Sequence, residues 1–316
     1  MQDSYGSADV LELREVERPT VADDRILVRV RAAGVNMADW HLMTGLPKLV
    51  RVAGVGFRAP KQPIRSSDVA GVVEEVGAAV TEFTPGDEVF GSASGAFAEF
   101  ALSRPARLLP KPANLTFEQA AAVSMAGYTA LQAVRDKAEV QPGQRVLITG
   151  AAGGVGSFAV QLAKHFGAHV TGVCSTSKTE LVRSLGADAA IDYTREPITG
   201  TYDVIIDTAG NRPLGVLRRL LTPRGTLVLV GAEGTGNLIG PVVKMLRDAV
   251  VNRFVSQRLL GMLATEKHED LVTLSELLTS GAITPAIDRT FPLAEAPDAI
   301  RHLGAGRAAG KVVVVP

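Results

Sequence analysis

The stretch from Val146 to Ser157 reads VLITGAAGGVGS. An apolar run with the length of a buried strand stops at a glycine-rich turn. Behind it, GGVGSFAVQLAKHFG (153–167) carries apolar residues at helical spacing. The dinucleotide fingerprint G-x-G-x-x-G sits at such a junction. Ala151, Gly153 and Gly156 occupy its three glycine places, with alanine at the first and Gly150 just before it. Gly153 lets backbone amides approach a pyrophosphate, and Gly156 lets the helix close on the strand. The turn and helix start, Ala152, Gly153, Gly154 and Val155, then offer amides and the positive end of the helix dipole to phosphate.

The same rhythm continues on the C-terminal side. HVTGVC (169–174), AAIDY (189–193), DVIIDTAG (203–210) and TLVLVGA (226–232) read as strands. TELVRSLG (179–186) and PLGVLRRLL (213–221) read as helices between them. Such alternation means parallel strands with crossover helices, and the near-continuous apolar strands mean a sheet covered on both faces. The expected fold class is α/β, a doubly wound parallel sheet of the Rossmann type. The first third differs. LEL (11–13), RILVRVRAAGV (25–35), DVAGVVEEVG (68–77) and DEVFGSASGAFAEFAL (87–102) are short strand-like runs broken by turns such as TPGD (84–87). They predict a barrel- or sandwich-like β module. An alanine-rich helix is predicted from Phe117 to Lys137. After about Gly240 a helix-rich stretch runs to Leu278, followed by AIDRTFP (286–292), a helix-like LAEAPDAIRHLG (293–304) and a closing strand KVVVVP (311–316). These last strands are expected to return to the first module and make it discontinuous.

The bulk numbers bound the reading. A chain of 316 residues favours two domains, and 46% apolar residues supply proper cores. Lysine plus arginine and aspartate plus glutamate number 33 each, so no bulk field draws the chain to nucleic acid or to a membrane surface. The one cysteine, Cys174, rules out an intramolecular disulfide and a multi-thiolate metal site. The opening MQDSYGSADV has no basic flank before an apolar core, and no stretch reaches the roughly 20 apolar residues of a spanning helix. A soluble, cytoplasmic protein is the expectation, with no nucleic-acid or membrane partner.

The end of the second Rossmann strand bears on the cofactor. NAD enzymes place an acidic residue there for the ribose 2′-hydroxyl. Here GVCSTSKTE carries no carboxylate before Glu180, and presents Ser175, Thr176, Ser177 and Lys178 instead. Hydroxyls and an ammonium suit a 2′-phosphate, so NADPH is favoured. Ser177 to Glu180 also fits a helix capping box, and the two readings coexist.

Several motifs together resemble the zinc-independent medium-chain dehydrogenases/reductases, in particular the quinone oxidoreductase-like, zeta-crystallin-like NADPH enzymes. They are VRVRAAGVNMADW (28–40), SDVAGVVEEVG (67–77), AAAVSMAGYTALQA (120–133), ITGAAGGVGSFAVQLAK (148–164) and AGKVVVVP (309–316). The resemblance covers nearly the whole chain. It implies a GroES-like, mostly β catalytic domain over residues 1–115 and 282–316 and a Rossmann domain over 116–281, with the cofactor in the cleft. It also implies a homodimer. Only four residues precede Tyr5-Gly6, so the family's first strand is expected to be truncated here.

The zinc-dependent members of the superfamily place a catalytic cysteine where this chain has Asn36, and a G-H-E triplet where it has Ser66-Ser67-Asp68. A substitute site from Asp39, His41 and Asp68 has no spacing to recommend it, so no metal is expected. Without a metal, an acceptor carbon that is already electrophilic is easier to reduce than a plain carbonyl. A quinone or an α,β-unsaturated carbonyl delocalises the incoming charge onto oxygen, where a modest donor stabilises it.

His41 and Asn36 are the catalytic candidates. His41 lies where relatives often carry a tyrosine or lysine near the nicotinamide, and a histidine there donates to an acceptor oxygen. Its plain alternative is an exposed helix histidine. Asn36 would sit near the nicotinamide ribose or substrate; its alternative is a helix N-cap. By resemblance Thr129 lies beside the nicotinamide, Tyr193 flanks the 2′-phosphate or adenine, and Lys311 lies near the cofactor; a solvated strand lysine is the alternative for Lys311. The loops Thr208-Ala209-Gly210 and Val230-Gly231-Ala232 follow strand ends where ligands of open α/β sheets bind. The residues 47–63, PKLVRVAGVGFRAPKQP, are expected to form a loop over the cleft. The reading is an NADPH-dependent reductase of a small-molecule quinone or enone. The alternatives are an NAD(P)-dependent alcohol or carbonyl dehydrogenase and a non-catalytic NADPH-binding redox sensor.

Overall fold

The computed structural model describes residues 1–48, 51, 55–230 and 255–316. The chain divides into two compact units, Met1–Ala126 with Glu266–Pro316, and Gly127–Thr265.

The first unit is built around β1 (Ile26–Val35), in which only Arg29 and Arg31 are exposed. Helix α1 (Met37–Thr44) follows at once. Next come β2 (Asp68–Val76), β3 (Glu88–Ser92), β4 (Phe100–Ser103) and β5 (Leu108–Pro110). The chain then builds α2 (Phe117–Ala121) and enters α3 (Ser124–Leu131). β2 and β4 both pair antiparallel with β1, and β3 links β2 to β5. Ile26, Val28, Val69, Val73 and Leu108 form the core beneath these strands.

The helix predicted over 117–137 is broken into α2, α3 and a π-helical turn, Gln132–Lys137. Thr116 and Gln119 cap α2 reciprocally. At the break the Ser124 hydroxyl donates to Gly91 O (2.8 Å) and the Met125 amide donates to Asp68 Oδ1 (3.1 Å). Polar groups of β2 and β3 thus replace helical bonds, which alanine content alone does not reveal. α2 packs on β1, β2 and β3, so it belongs with the first unit, where the sequence boundary at 115 had left it with the Rossmann segment. Leu11–Leu13 forms no strand: Glu12 exchanges backbone hydrogen bonds only with Met1 (Glu12 N to Met1 O, 2.9 Å; Met1 N to Glu12 O, 2.6 Å), and Leu13 is exposed.

The second unit contributes β6 (Arg145–Thr149), α4 (Gly154–His165), β7 (His169–Cys174), α5 (Thr179–Ser184) and β8 (Ala189–Asp192). After these come β9 (Tyr202–Asp207), α6 (Leu214–Arg219), β10 (Leu221–Leu229) and β11 (Arg258–Gly261). The strands run parallel in the order β11-β10-β9-β6-β7-β8. The chain leaves β6 for β7 on one side and later returns to β9 on the other. The crevice for a ligand therefore opens at the carboxyl end of β6. Leu147, Val173, Ile205, Leu217 and Leu227 hold the sheet to its helices. β11 lies inside the stretch read as helix-rich; four residues are too few for periodicity to separate strand from helix, and pairing on β10 decided it.

The chain then returns to the first unit with α7 (His268–Thr279), β12 (Ile287–Pro292), α8 (Ala296–Gly304) and β13 (Lys311–Val315). β13 pairs antiparallel with β1 and parallel with β12, completing the order β12-β13-β1-β2-β3-β5. Paired on both sides and buried over Lys311–Val314, β13 accommodates the unbroken valines. α7 packs on β5 and accepts at Leu278 O from Asn114 Nδ2 (2.9 Å), so this helix too joins the first unit, although the sequence boundary at 281 assigned it elsewhere.

Candidate active site and cofactor turn

In the second unit, β6 ends at Thr149 and the backbone turns through Gly150 at φ +63°. A Cβ on Gly150 would meet Thr208 Oγ1 at 2.7 Å, and one on Gly156 would meet Gly150 O at 2.1 Å. Both positions therefore require glycine, and the first turn of α4 stays bare backbone. Gly153 is the N-cap of α4; Gly154 and Val155 open its first turn, and all three are partly open to solvent, with Ala152 buried behind them. Backbone amides at a helix N-terminus of this kind suit an anionic group.

Asp207, fully buried at the end of β9, ties the neighbouring loop to this turn. Its Oδ1 accepts from Thr149 Oγ1 (2.5 Å) and from Gly210 N (3.2 Å). Thr208 Oγ1 donates to Thr149 O (2.6 Å), so Thr208 and Ala209 are held against the end of β6. Val230 N donates to Asp207 O (3.0 Å), while Gly231 and Ala232 lie outside the described residues. Thr129 is half-buried on α3.

At the end of β7, Ser175 leads into a 3-10 turn, Thr176–Lys178, and α5 starts only at Thr179. The Ser177 capping box does not form; Lys178 is the N-cap residue and makes no side-chain cap bond. Sequence reasoning missed a carboxylate here. β7–β8 pairing sets Asp192 opposite Cys174. Both of its oxygens are taken. Oδ2 accepts from Thr176 Oγ1 (2.5 Å) and faces Arg195 Nε (3.5 Å), and Oδ1 accepts from Thr194 N (3.0 Å) and Thr194 Oγ1 (2.7 Å). The bonds from Thr176 and Thr194 hold its carboxyl below the usual range, so it is ionised. Only strand register, invisible in one sequence, places it there. Cys174 is buried; desolvation first, then Asp192, pushes its thiol up, so the thiolate is disfavoured. Tyr193, 54% exposed, stands at the same edge with the Arg212 guanidinium over its ring.

In the first unit a buried network joins four sequence-singled residues. Lys311, 2% exposed, donates to Asn36 Oδ1 (2.5 Å) and lies 3.4 Å from Asp68 Oδ2. Asn36 Nδ2 donates to that same Asp68 oxygen (3.0 Å). The solvated-lysine alternative for Lys311 is thereby overturned: β13 lies inside the sheet, and the ammonium is compensated by Asp68. Asn36 does occupy the N-cap position of α1, but its side chain is spent on Lys311 and Asp68. Asp39 closes the helix start instead, accepting from Asn36 N (2.8 Å) at Oδ2 and from Ser66 N (2.8 Å) at Oδ1. Ser66 has φ +68°, and its hydroxyl holds Gly34 O (2.8 Å). Burial pushes Asp39 up to about 6, and burial likewise raises Asp68 against the opposing pull of Lys311. Arg65, also buried, has Nε and Nη2 without hydrogen-bond partners among the described residues.

His41 is half-buried on α1, with Trp40 edge-on at 5.1 Å. Its Nδ1 lies 2.8 Å from Leu46 O, which can only accept, so Nδ1 carries a hydrogen and Nε2 is the nitrogen left for other work. Residues 49–50 and 52–54 of the expected loop lie outside the described residues; Arg51 donates to Gly45 O (3.0 Å) and Thr44 O (3.2 Å). Among the described residues no three His, Cys, Asp or Glu side chains gather as metal ligands, and no helix is long and apolar enough to cross a membrane.

Residues 22–113 match the model of the alcohol dehydrogenase GroES-like domain, and residues 185–314 that of the zinc-binding dehydrogenase domain. The chain is 36% identical to a 2-methylene-furan-3-one reductase of Solanum lycopersicum, over 99% of this chain and 77% of that protein. It is 35% identical to an NADPH-dependent alkenal/one oxidoreductase of Arabidopsis thaliana, over 99% and 78%. Escherichia coli quinone oxidoreductase, solved in complex with NADPH, superposes with a TM-score of 0.85 at 26% identity, covering 100% of this chain and 98% of that one.

Proposed function

Because the chain belongs to the medium-chain dehydrogenase/reductase family, in its quinone oxidoreductase-like branch, we propose that it is an oxidoreductase that uses NADPH to reduce a quinone or an α,β-unsaturated carbonyl. One observation carries the cofactor choice. The end of β7 carries hydroxyls and Lys178, and the carboxylate that the β7–β8 pairing sets there, Asp192, already accepts from Thr176 and Thr194. Hydroxyls and an ammonium suit a 2′-phosphate better than a ribose diol.

When bound, NADPH supplies the hydride. The second unit orients it: the bare first turn of α4 takes the pyrophosphate, and the Asp207–Thr149 bond fixes the Thr208–Gly210 loop. In the first unit His41 holds a proton at Nε2 for the acceptor oxygen. Nδ1–H is committed to Leu46 O, so Nε2 is the nitrogen left to serve the acceptor. No metal enters the proposal. Asn36 and Asp68, in the places where zinc-dependent relatives carry a ligand and an acid, are already bridged by the Lys311 ammonium. A homodimer in the cytoplasm completes the reading. It is supported by the open edge of β11 among the described residues and by a single, buried cysteine suited to a reducing compartment.

The test is the loss of nicotinamide absorbance with metal-analysed protein, an ortho-quinone or an enone as acceptor, and NADH as control. Metal-free turnover favouring NADPH, reduced about 100-fold in His41→Phe, is expected. Turnover of saturated alcohols alone would return the reading to an alcohol dehydrogenase; NADPH binding with no acceptor reduced would leave a binding protein.

A further inference from the structure

Arg212 is a cation that neither the glycine turn nor the β7 loop accounts for. It sits in the loop after β9, and its guanidinium carbon lies 5.6 Å from the centre of the Tyr193 ring, which follows β8. In the sheet β9 and β8 are separated by β6 and β7, so this contact spans the carboxyl edge above the crevice. Its remaining contact is a long hydrogen bond to Asn211 Oδ1 (3.4 Å), and among the described residues no carboxylate pairs with it. Another cation near this edge has an acid: Arg195 faces Asp192.

Charge at this edge is unbalanced in a way that fits a ligand. Asp192 is ionised and is offset by Arg195. Lys178 adds one positive charge to the same strand ends. A phosphate monoester carries about 1.5 to 2 negative charges at neutral pH, so one more cation is called for. Arg212 is half-buried, held in place by the Tyr193 face, and its planar N–H fork matches phosphate oxygens.

We propose that Arg212 determines cofactor specificity by donating to the 2′-phosphate of NADPH while stacked on Tyr193. The proposal rests on the NADPH reading above. The rival is that Arg212 stacks on the adenine ring, which NADPH and NADH share.

Calorimetric titration separates them without any acceptor present. Adenosine 2′,5′-bisphosphate and 5′-AMP are titrated into the wild-type protein, Arg212→Gln and Arg212→Lys. Arg212→Gln is expected to weaken the bisphosphate about 10- to 100-fold and leave 5′-AMP within about twofold, with partial recovery in Arg212→Lys. Equal losses for both nucleotides, or no loss, overturn the proposal. A wild-type protein that does not prefer the bisphosphate overturns the NADPH reading itself. A preference that persists in Arg212→Gln overturns only the role of Arg212. Arg212→Lys, which keeps the charge, provides the same comparison should the glutamine variant fold poorly.

Discussion

At Asp39, burial outweighs hydrogen bonding. The carboxylate accepts two backbone N–H bonds, yet desolvation raises it from 3.8 to about 6. A raised acid gives stability that is fully present below its unfolded value and is lost as pH rises through the folded one. For Asp39 that window runs from 3.8 to about 6, and the shift corresponds to on the order of 3 kcal/mol. Urea unfolding of the wild type and of Asp39→Asn at a series of pH values checks it. The wild type should lose stability relative to the variant across that window, and the difference should be flat above it. A difference independent of pH would mean that Asp39 keeps an ordinary carboxylate's affinity for protons. At this scale the sequence singled out Asn36, Asp39, Asp68 and Lys311, which the fold gathers into one network. Asp192, Arg212 and Arg65 went unmarked, because their significance lies in neighbours from other strands.

Among the elements, the β6–turn–α4 junction is the most constrained. Gly150 needs its positive φ, and Gly156 has no room for a methyl group beside Gly150 O. Gly156→Ala should cost roughly 2–4 kcal/mol of stability, because the helix must shift away from the strand. It should also lower NADPH affinity more than about 10-fold, since the amides move with the helix. Thermal unfolding and nucleotide titration read the two effects; an alanine variant with both values unchanged would show that the turn relaxes freely. This junction was legible in sequence because its requirement is local. The α2–α3 break was not. Ser124 and Met125 leave the helical pattern for Gly91 O and Asp68 Oδ1, partners more than thirty residues away.

At the scale of the molecule, each unit leaves a different edge. The mostly antiparallel sheet of the first unit ends in β12 and β5; the parallel sheet ends in β11 and β8. Among the described residues β11 has a neighbour on one side only, and Leu263, just beyond it, is 87% exposed. Under the proposed homodimer, a second copy of the chain would meet this edge with a symmetric one. Sedimentation should give a dimer for the wild type and a weaker one for Leu263→Glu, with nucleotide binding retained. A wild-type monomer at micromolar concentration would discard the homodimer.

The sequence by itself determined what depends on neighbours along the chain. That includes the strand–glycine turn–helix, the alternation of a parallel sheet, the β-rich first third, and the absence of an acid at the end of β7. Periodicity and backbone freedom are local properties, and composition carries them. Tertiary structure alone decided which segments lie side by side. It placed β13 between β12 and β1 and so buried Lys311 against Asp68. It set Asp192 opposite Cys174, and it brought Arg212 over Tyr193 across the sheet edge. Register and strand order follow from the packing of the whole sheet, so no single segment encodes them, and the charges they bring together are visible only once the sheet is assembled.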